Sequence, residues 1–420
     1  MKPSSHKSLS SLKYLVLFLF GVSAVYFAFA YTNINSALTN SIQYIQKIAL
    51  TDDGNESGLT GIFLNGINGN IISYGFISLG AGVSASGTNA TAMGNGTQAN
   101  GDYSTAMGGG ATANGSVSTA MGGNTQANGD TSTAMGNTTH ANGVSSVAMG
   151  YYTIANGGSS VAMGNGTQAN GGSSTAMGRG TNAIGNFSTA MGFSTTASGA
   201  YATAMGFSTT ASGDYSTAMG YQTQANGNAS TAIGQSTTAS GDYSIAMGAS
   251  THAIGNYSTA MGGGTNANGD YSTTMGNSTT ASGYVSTAMG DHTYASGNYS
   301  TAMGYYTIAN GYAATALGKF NIGLPTSLFE VGMGSAGGFE ANALTILANG
   351  KVGIGTGATS PDALLTVEGG IRAIKITSNP CGNTADYPEG ALFYNNTDHY
   401  YCFCDNTATA QRMQMTGDCF

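Results

Sequence analysis

The sequence predicts an all-β fold, a parallel β-roll solenoid of about seventeen 14-residue coils, and three observations carry that prediction. A hydrophobic anchor recurs every fourteen residues without insertion: Leu79, Met93, Met107, Met121, Met135, Met149, Met163, Met177, Met191, Met205, Met219, Ile233, Met247, Met261, Met275, Met289, Met303 and Leu317. Gly follows the anchor every time, from Gly80 to Gly318. An Ala recurs six positions after it (Ala85 to Ala309) and a second Gly eight after it (Gly87 to Gly311). Such a unit is too short for a helix pair and too long for one strand. Two short strands joined by two tight turns solve it, with Gly at corners that need positive φ and Asn-Gly or Ser-Gly marking the second corner, as at Asn100-Gly101 and Ser198-Gly199.

Residues 1–31 come first. Lys2, Lys7 and Lys13 precede an uncharged stretch from Tyr14 to Tyr31. With Ala28-Phe29-Ala30 as a cleavage site it reads as a signal peptide. As a retained helix its eighteen residues span about 27 Å, enough for a bilayer core. Either way the chain is exported, and a retained segment would keep the basic side in the cytoplasm.

Residues 32–50 place Ile34, Leu38, Ser41, Ile45 and Ile48 at heptad spacing, the pattern of a short helical neck. A plain amphipathic helix reads the same way. Ile at both seam positions favours three or more strands over two. Residues 51–78 are a looser linker and roll entry.

In the roll, residues 79–318, strand side chains alternate faces. The anchor then shares its face with the Thr two before it and with the Thr and Ala four and six after it, as in Thr203, Met205, Thr209 and Ala211. Parity therefore predicts an interior filled by the anchor row, from Met93 to Leu317. It leaves Ala204 and Gly206 on an outer face smooth enough for another chain, so a partner chain is expected there. Tyr103, Tyr201, Tyr215, Tyr243, Tyr257, Tyr271 and Tyr299 share the position ten after the anchor. They should form a discontinuous ladder along one edge, either as cross-coil stacking or as a stripe that contacts sugars or surfaces.

The units Ser216-Thr217-Ala218-Met219-Gly220 and Ser146-Val147-Ala148-Met149-Gly150, followed by T-x-A-S/N-G, resemble the head repeats of YadA-like trimeric autotransporter adhesins. The resemblance covers about 240 of 420 residues. It implies a left-handed roll, three chains side by side, and presentation on a cell surface for adhesion to host matrix, other cells or abiotic surfaces. With the tyrosine edge, the expected partners are a host-cell, matrix, glycan or neighbouring-cell surface. Thr usually replaces the family's Val two before the anchor, which puts a hydroxyl where an aliphatic group is expected. The family's coiled-coil stalk and membrane barrel have no counterpart pattern after Gly318, so retention of the N-terminal segment as the anchor is the favoured reading.

Residues 319–376 form a β-rich connecting segment with strand-like runs at Leu328 to Gly332, Ala343 to Gly355 and Ala363 to Val367, similar to β segments of tail-fibre-type proteins. Residues 377–420 hold all four cysteines, Cys381, Cys402, Cys404 and Cys419. In an exported chain these suggest two disulfides in a small β cap. A metal site using His399 is the rival reading, weakened by the lone C-x-C.

Charged residues are 7% of the chain, and in the roll the sole base is Arg179. Nucleic acid is therefore not an expected partner. His140, His252 and His292 are isolated, and no motif calls for a cofactor or metal, so no enzyme is expected. The function classes that remain are a surface adhesin, a phage or viral tail-fibre-like module, and an ice- or crystal-binding solenoid suggested by the Thr-Thr pairs such as Thr195-Thr196.

Overall fold

The computed structural model describes residues 76–337, 339–355, 361 and 363–368, together with strand backbone at 63–65, 70–72, 375–376, 392–395, 400–404 and 410–412. The N-terminal segment 1–31, the expected neck 32–50, and Cys381 and Cys419 lie outside the described residues. Among the described residues no helix is long and apolar enough to cross a membrane.

The chain divides into two compact units, Met1–Tyr215 and Ser216–Phe420. Both are parallel β-solenoids built the same way. In the first, long strands run from Ile77–Ala81 to Thr203–Phe207 and short strands from Ser84–Ala85 to Thr210–Ala211. Each strand pairs in parallel with its counterpart one coil on, without slippage: Leu79 lies opposite Met93, Met93 opposite Met107, and Ala85 opposite Ala99. In the second unit the long strands run from Thr217–Tyr221 to Thr315–Lys319 in the same register. The unbroken period makes this possible, because every coil offers its neighbour the same row of donors and acceptors about 4.8 Å away.

The interior corrects the parity reading. The anchor side chains from Met93 to Leu317 do not fill the coil. They are half-buried, and Ile233 and Met247 are 37% and 36% exposed. The Ala before the anchor lies inside, so the Ala-Gly row is not a continuous outer face: Ala92, Ala106, Ala148 and Ala204 have no exposed surface, while Gly206 after the anchor is exposed. The Thr two before the anchor is half-exposed beside it, so its hydroxyl needs no buried partner. The expectation holds at and just before the second strand, where Thr209 and Ala211 are fully buried.

The corner between the strands explains the inversion. Gly206 has φ 125° and Ser208 φ 52°, so the chain does not stay extended between Met205 and Thr209. Alternation counts faces only along a continuous strand, and two residues of positive φ reset the count.

The core is thus made of Ala, Thr, Ser and Gly, with no room for a thioether. Ser286, three before an anchor, donates its hydroxyl to the Gly283 carbonyl at 2.7 Å. Thr167 is fully buried and its hydroxyl has no partner among the described residues. A buried, unpaired hydroxyl is destabilising by about 1–3 kcal/mol. Thr167→Val is therefore expected to raise the melting temperature by roughly 2–4 °C. A lower melting temperature would show that the hydroxyl is bonded after all.

The roll ends on a polar plug. Ser327–Met333 adds one more parallel strand, Ala316 facing Glu330, and Asn342–Leu347 then pairs with it antiparallel. Glu330 therefore occupies the interior Ala position, fully buried. Its carboxylate accepts the Gly323 and Leu324 N–H groups at 2.9 and 2.7 Å and the Asn321 side-chain amide. Asn321 stands four after Leu317, where other coils have Thr, and its amide bonds both N–H and C=O of Ile308 at 2.7 Å. Side chains thus supply partners that a further coil would have supplied. Val352–Ile354 and Leu365–Val367 complete this sheet.

Further on, Lys375–Ile376, Leu392–Asn395, Tyr400–Cys404 and Ala410–Arg412 form a four-stranded sheet. The backbone of Cys402 pairs with Phe393 and Arg412, and Cys404 follows two residues on in the same strand.

Candidate binding surface

Small side chains fill the interior, so everything large on the roll faces outward, in rows fixed by the repeat. The long strand presents the half-buried Thr and Met rows side by side. In the first unit Thr133 and Met135 lie opposite Val147 and Met149 of the next coil, which lie opposite Val161 and Met163 of the one after. This is an apolar face on every coil.

The corner ten after the anchor carries the tyrosines. Its backbone is left-handed, with φ of 57–59° at Tyr103, Tyr201, Tyr215 and Tyr243, and each N–H reaches a carbonyl one coil back, Tyr103 to Thr88 at 2.7 Å. In the first unit Phe187, Tyr201 and Tyr215 stack at 4.8 and 4.9 Å between ring centroids, while Tyr103 is followed at the same position by Val117. In the second unit Tyr243, Tyr257 and Tyr271 stack at 4.9 Å. Tyr284, Tyr299 and Tyr312 continue edge-on, at centroid distances of 5.5–5.7 Å. Sequence reading by strict position missed Phe187, which is not a tyrosine, and Tyr284 and Tyr312, which sit one residue earlier in the unit and swing into line.

Beside most of these rings, though not Tyr201, Tyr284 or Tyr312, stands an Asp or Asn whose carboxylate or amide oxygen accepts an N–H from the coil before. Asp214 bonds Ala200, Asp242 bonds Asn228, Asn256 bonds Asp242 and Asp270 bonds Asn256, all at 2.8–2.9 Å. This tie holds the corner closed. The Asp-Tyr and Asn-Tyr pairs, repeated in register, were the sequence signal for it.

On the short-strand side, Asn100, Asn114, Asn128, Asn142, Asn156 and Asn170 form an amide ladder, each Nδ2 donating to the next Oδ1 at 2.7–2.8 Å. The ladder uses the Asn of the Asn-Gly corner, and the following Gly is fixed by close approach: a Cβ on Gly101 would lie 2.0 Å from the Gly115 oxygen.

The opposite corner holds shorter aromatic columns. Phe193 and Phe207 stack at 5.0 Å with the Arg179 guanidinium 5.4 Å from the Phe193 ring centre. His292, Tyr306 and Phe320 stack at 4.5 and 4.9 Å. Hydrogen bonds from His292 and Asn277 hold the Asp291 carboxyl below the usual carboxylate range.

The YadA head domain repeat, taken two copies at a time, matches residues 85–111, 113–139, 141–167, 155–181, 169–195, 183–209, 197–223, 225–251, 253–279, 281–307 and 295–321, together more than half of the chain. No curated protein matches it.

Proposed function

The chain belongs to the YadA head-repeat family, and on that premise we propose that it forms the head of a homotrimeric, surface-exposed adhesive fibre. Head repeats of this family are structural adhesin elements, which places the chain in a cell-surface class. The observation that carries the reading is the half-buried Thr-Met face repeated on every coil. Fully covering one such Met contributes roughly 1 kcal/mol beyond its present burial. Over the coils of either unit this is enough to hold copies together. The trimer contact thus moves from the Ala-Gly row, whose Ala residues are interior, to the Thr-Met row.

With that face covered, the tyrosine corner and the Asn-lined side are left to meet a host cell, matrix, glycan or neighbouring cell. The N-terminal segment 1–31 holds the fibre to the membrane, and the cysteines cross-link the distal cap. An ice-binding role loses its footing: Thr195 of the Thr195-Thr196 pair is inside the coil, so paired Thr ranks do not form on the surface.

Protease shaving of intact cells tests the reading. It should abolish their attachment, release peptides from 80–420 and leave 1–30 with the membrane. Attachment that survives complete shaving would refute the adhesive role, and a soluble chain beginning at Tyr31 would refute the anchor.

A further inference from the structure

The tyrosine strip of the second unit has two properties that the roll does not need. The first is charge. Asn256 and Asn298 accept the corner N–H of the preceding coil as Asp242 and Asp270 do, at 2.8–3.0 Å. A neutral amide oxygen serves there as well, and Ala200 holds the same position with no side-chain acceptor, so the carboxylate charge of Asp242 and Asp270 is surplus to the fold. The second is the ring. The corner backbone is left-handed, with φ of 57–60° at Tyr243, Tyr257, Tyr271 and Tyr299, a region that favours Asn or Gly and disfavours bulky side chains. Ala229, Val285 and Ala313 adopt it as well, so the corner closes without an aromatic.

The rings are well exposed, from 42% at Tyr284 to 68% at Tyr312. Between Tyr243 and Tyr271 they stack face to face. From Tyr271 to Tyr312 the contacts are edge-on, with interplanar angles of 70–83°. An edge-on contact covers one ring face instead of two, so ring faces remain open beside Asp270. No Lys or Arg occurs between Ser216 and Gly318, so no permanent positive charge on these coils opposes the carboxylates of this corner.

We propose that this strip, Tyr243 to Tyr312 with Asp242 and Asp270, binds an extended, arginine-bearing basic polypeptide. A guanidinium lies flat on a tyrosine face and forks onto a carboxylate, a combination that ammonium groups and neutral sugars do not match. The spacing agrees. Asp242 and Asp270 are two coils apart, about 9.6 Å, and every third residue of an extended or polyproline-type chain repeats at about 9–10 Å. The inference rests on the reading of this corner as the exposed contact edge and names its partner.

The test uses the full chain in detergent micelles and a twelve-residue peptide of four Gly-Ser-Arg units, followed by calorimetry. The Arg peptide should bind, its Lys counterpart at least tenfold more weakly, and chitohexaose not at all. Asp242→Asn with Asp270→Asn, and separately Tyr284→Ser with Tyr299→Ser, should each weaken Arg-peptide binding at least tenfold. The Asp pair should leave the melting temperature unchanged, because Asn already serves that corner elsewhere. Asp52→Asn with Asp53→Asn removes the same charge from outside the roll and should change nothing. Equal weakening by that control, or undiminished binding by both strip variants, would overturn the proposal as non-specific attraction. Chitohexaose binding that the Tyr variants abolish would replace it with a carbohydrate site. Either outcome would leave the trimer intact by light scattering, which separates failure of this inference from failure of the proposed fibre.

Discussion

Ala148→Asp is expected to unfold the coils around it, whereas Met149→Asp, one residue on, should leave the single chain folded. Ala148 has no exposed surface and lies in register between Ala134 and Ala162 in a core with no space to spare. A carboxylate there is buried without a partner, which destabilises by about 3–5 kcal/mol. In a solenoid that loss is local first, since each coil leans on its neighbours alone. Met149 is half-exposed, so an aspartate there keeps its water and changes single-chain stability by less than about 1 kcal/mol. Its effect should appear in assembly, where three copies would bring three like charges to one contact. Circular dichroism melts of the two variants check this. Equal destabilisation would return the Met row to the interior.

Gly192→Ala should be nearly as damaging without adding any charge. Gly192 has φ 122°, and a Cβ on it would lie 2.0 Å from the Gly206 oxygen of the next coil. Neither the backbone nor that oxygen can give way without breaking the ladder. Strain and overpacking together make a loss of about 4 kcal/mol. Gly166→Ala is the matched control. Its Cβ would meet nothing within 4 Å, and Tyr152 and Ser194 hold the same corner position in other coils. Its effect should stay near 1 kcal/mol. A similar drop for both variants would show that the clash at Gly192 is relieved by movement of the coil.

Much of the fold was legible because the repeat is strict. The anchor, the Gly after it and the Gly eight after it fixed the coil, its two corners and its register before any side chain was placed. Face assignment was not legible, since strand parity holds only while the chain stays extended and the Gly206 and Ser208 corner breaks it. A second cue went unused: a core whose other members are Ala, Ser and Thr leaves no volume for Met.

The tyrosine ladder was readable from position, but Tyr284 and Tyr312 join it from one residue earlier, which only the corner geometry shows. The plug at Glu330 was hidden for a related reason. Asn321 and Glu330 fall on the Thr and Ala positions of the repeat, but the repeat pattern has already faded there, and only the parallel pairing of Ala316 with Glu330 restores the count.

The central claim is that copies of this chain meet through the Thr-Met face. Light scattering of the chain from residue 32 onward, with and without Met149→Asp, tests it most directly. The account predicts three chain masses for the unaltered protein and a trimer that dissociates at a higher concentration for the variant, with both still rich in β structure. A stable, folded monomer of the unaltered chain at micromolar concentration would contradict it.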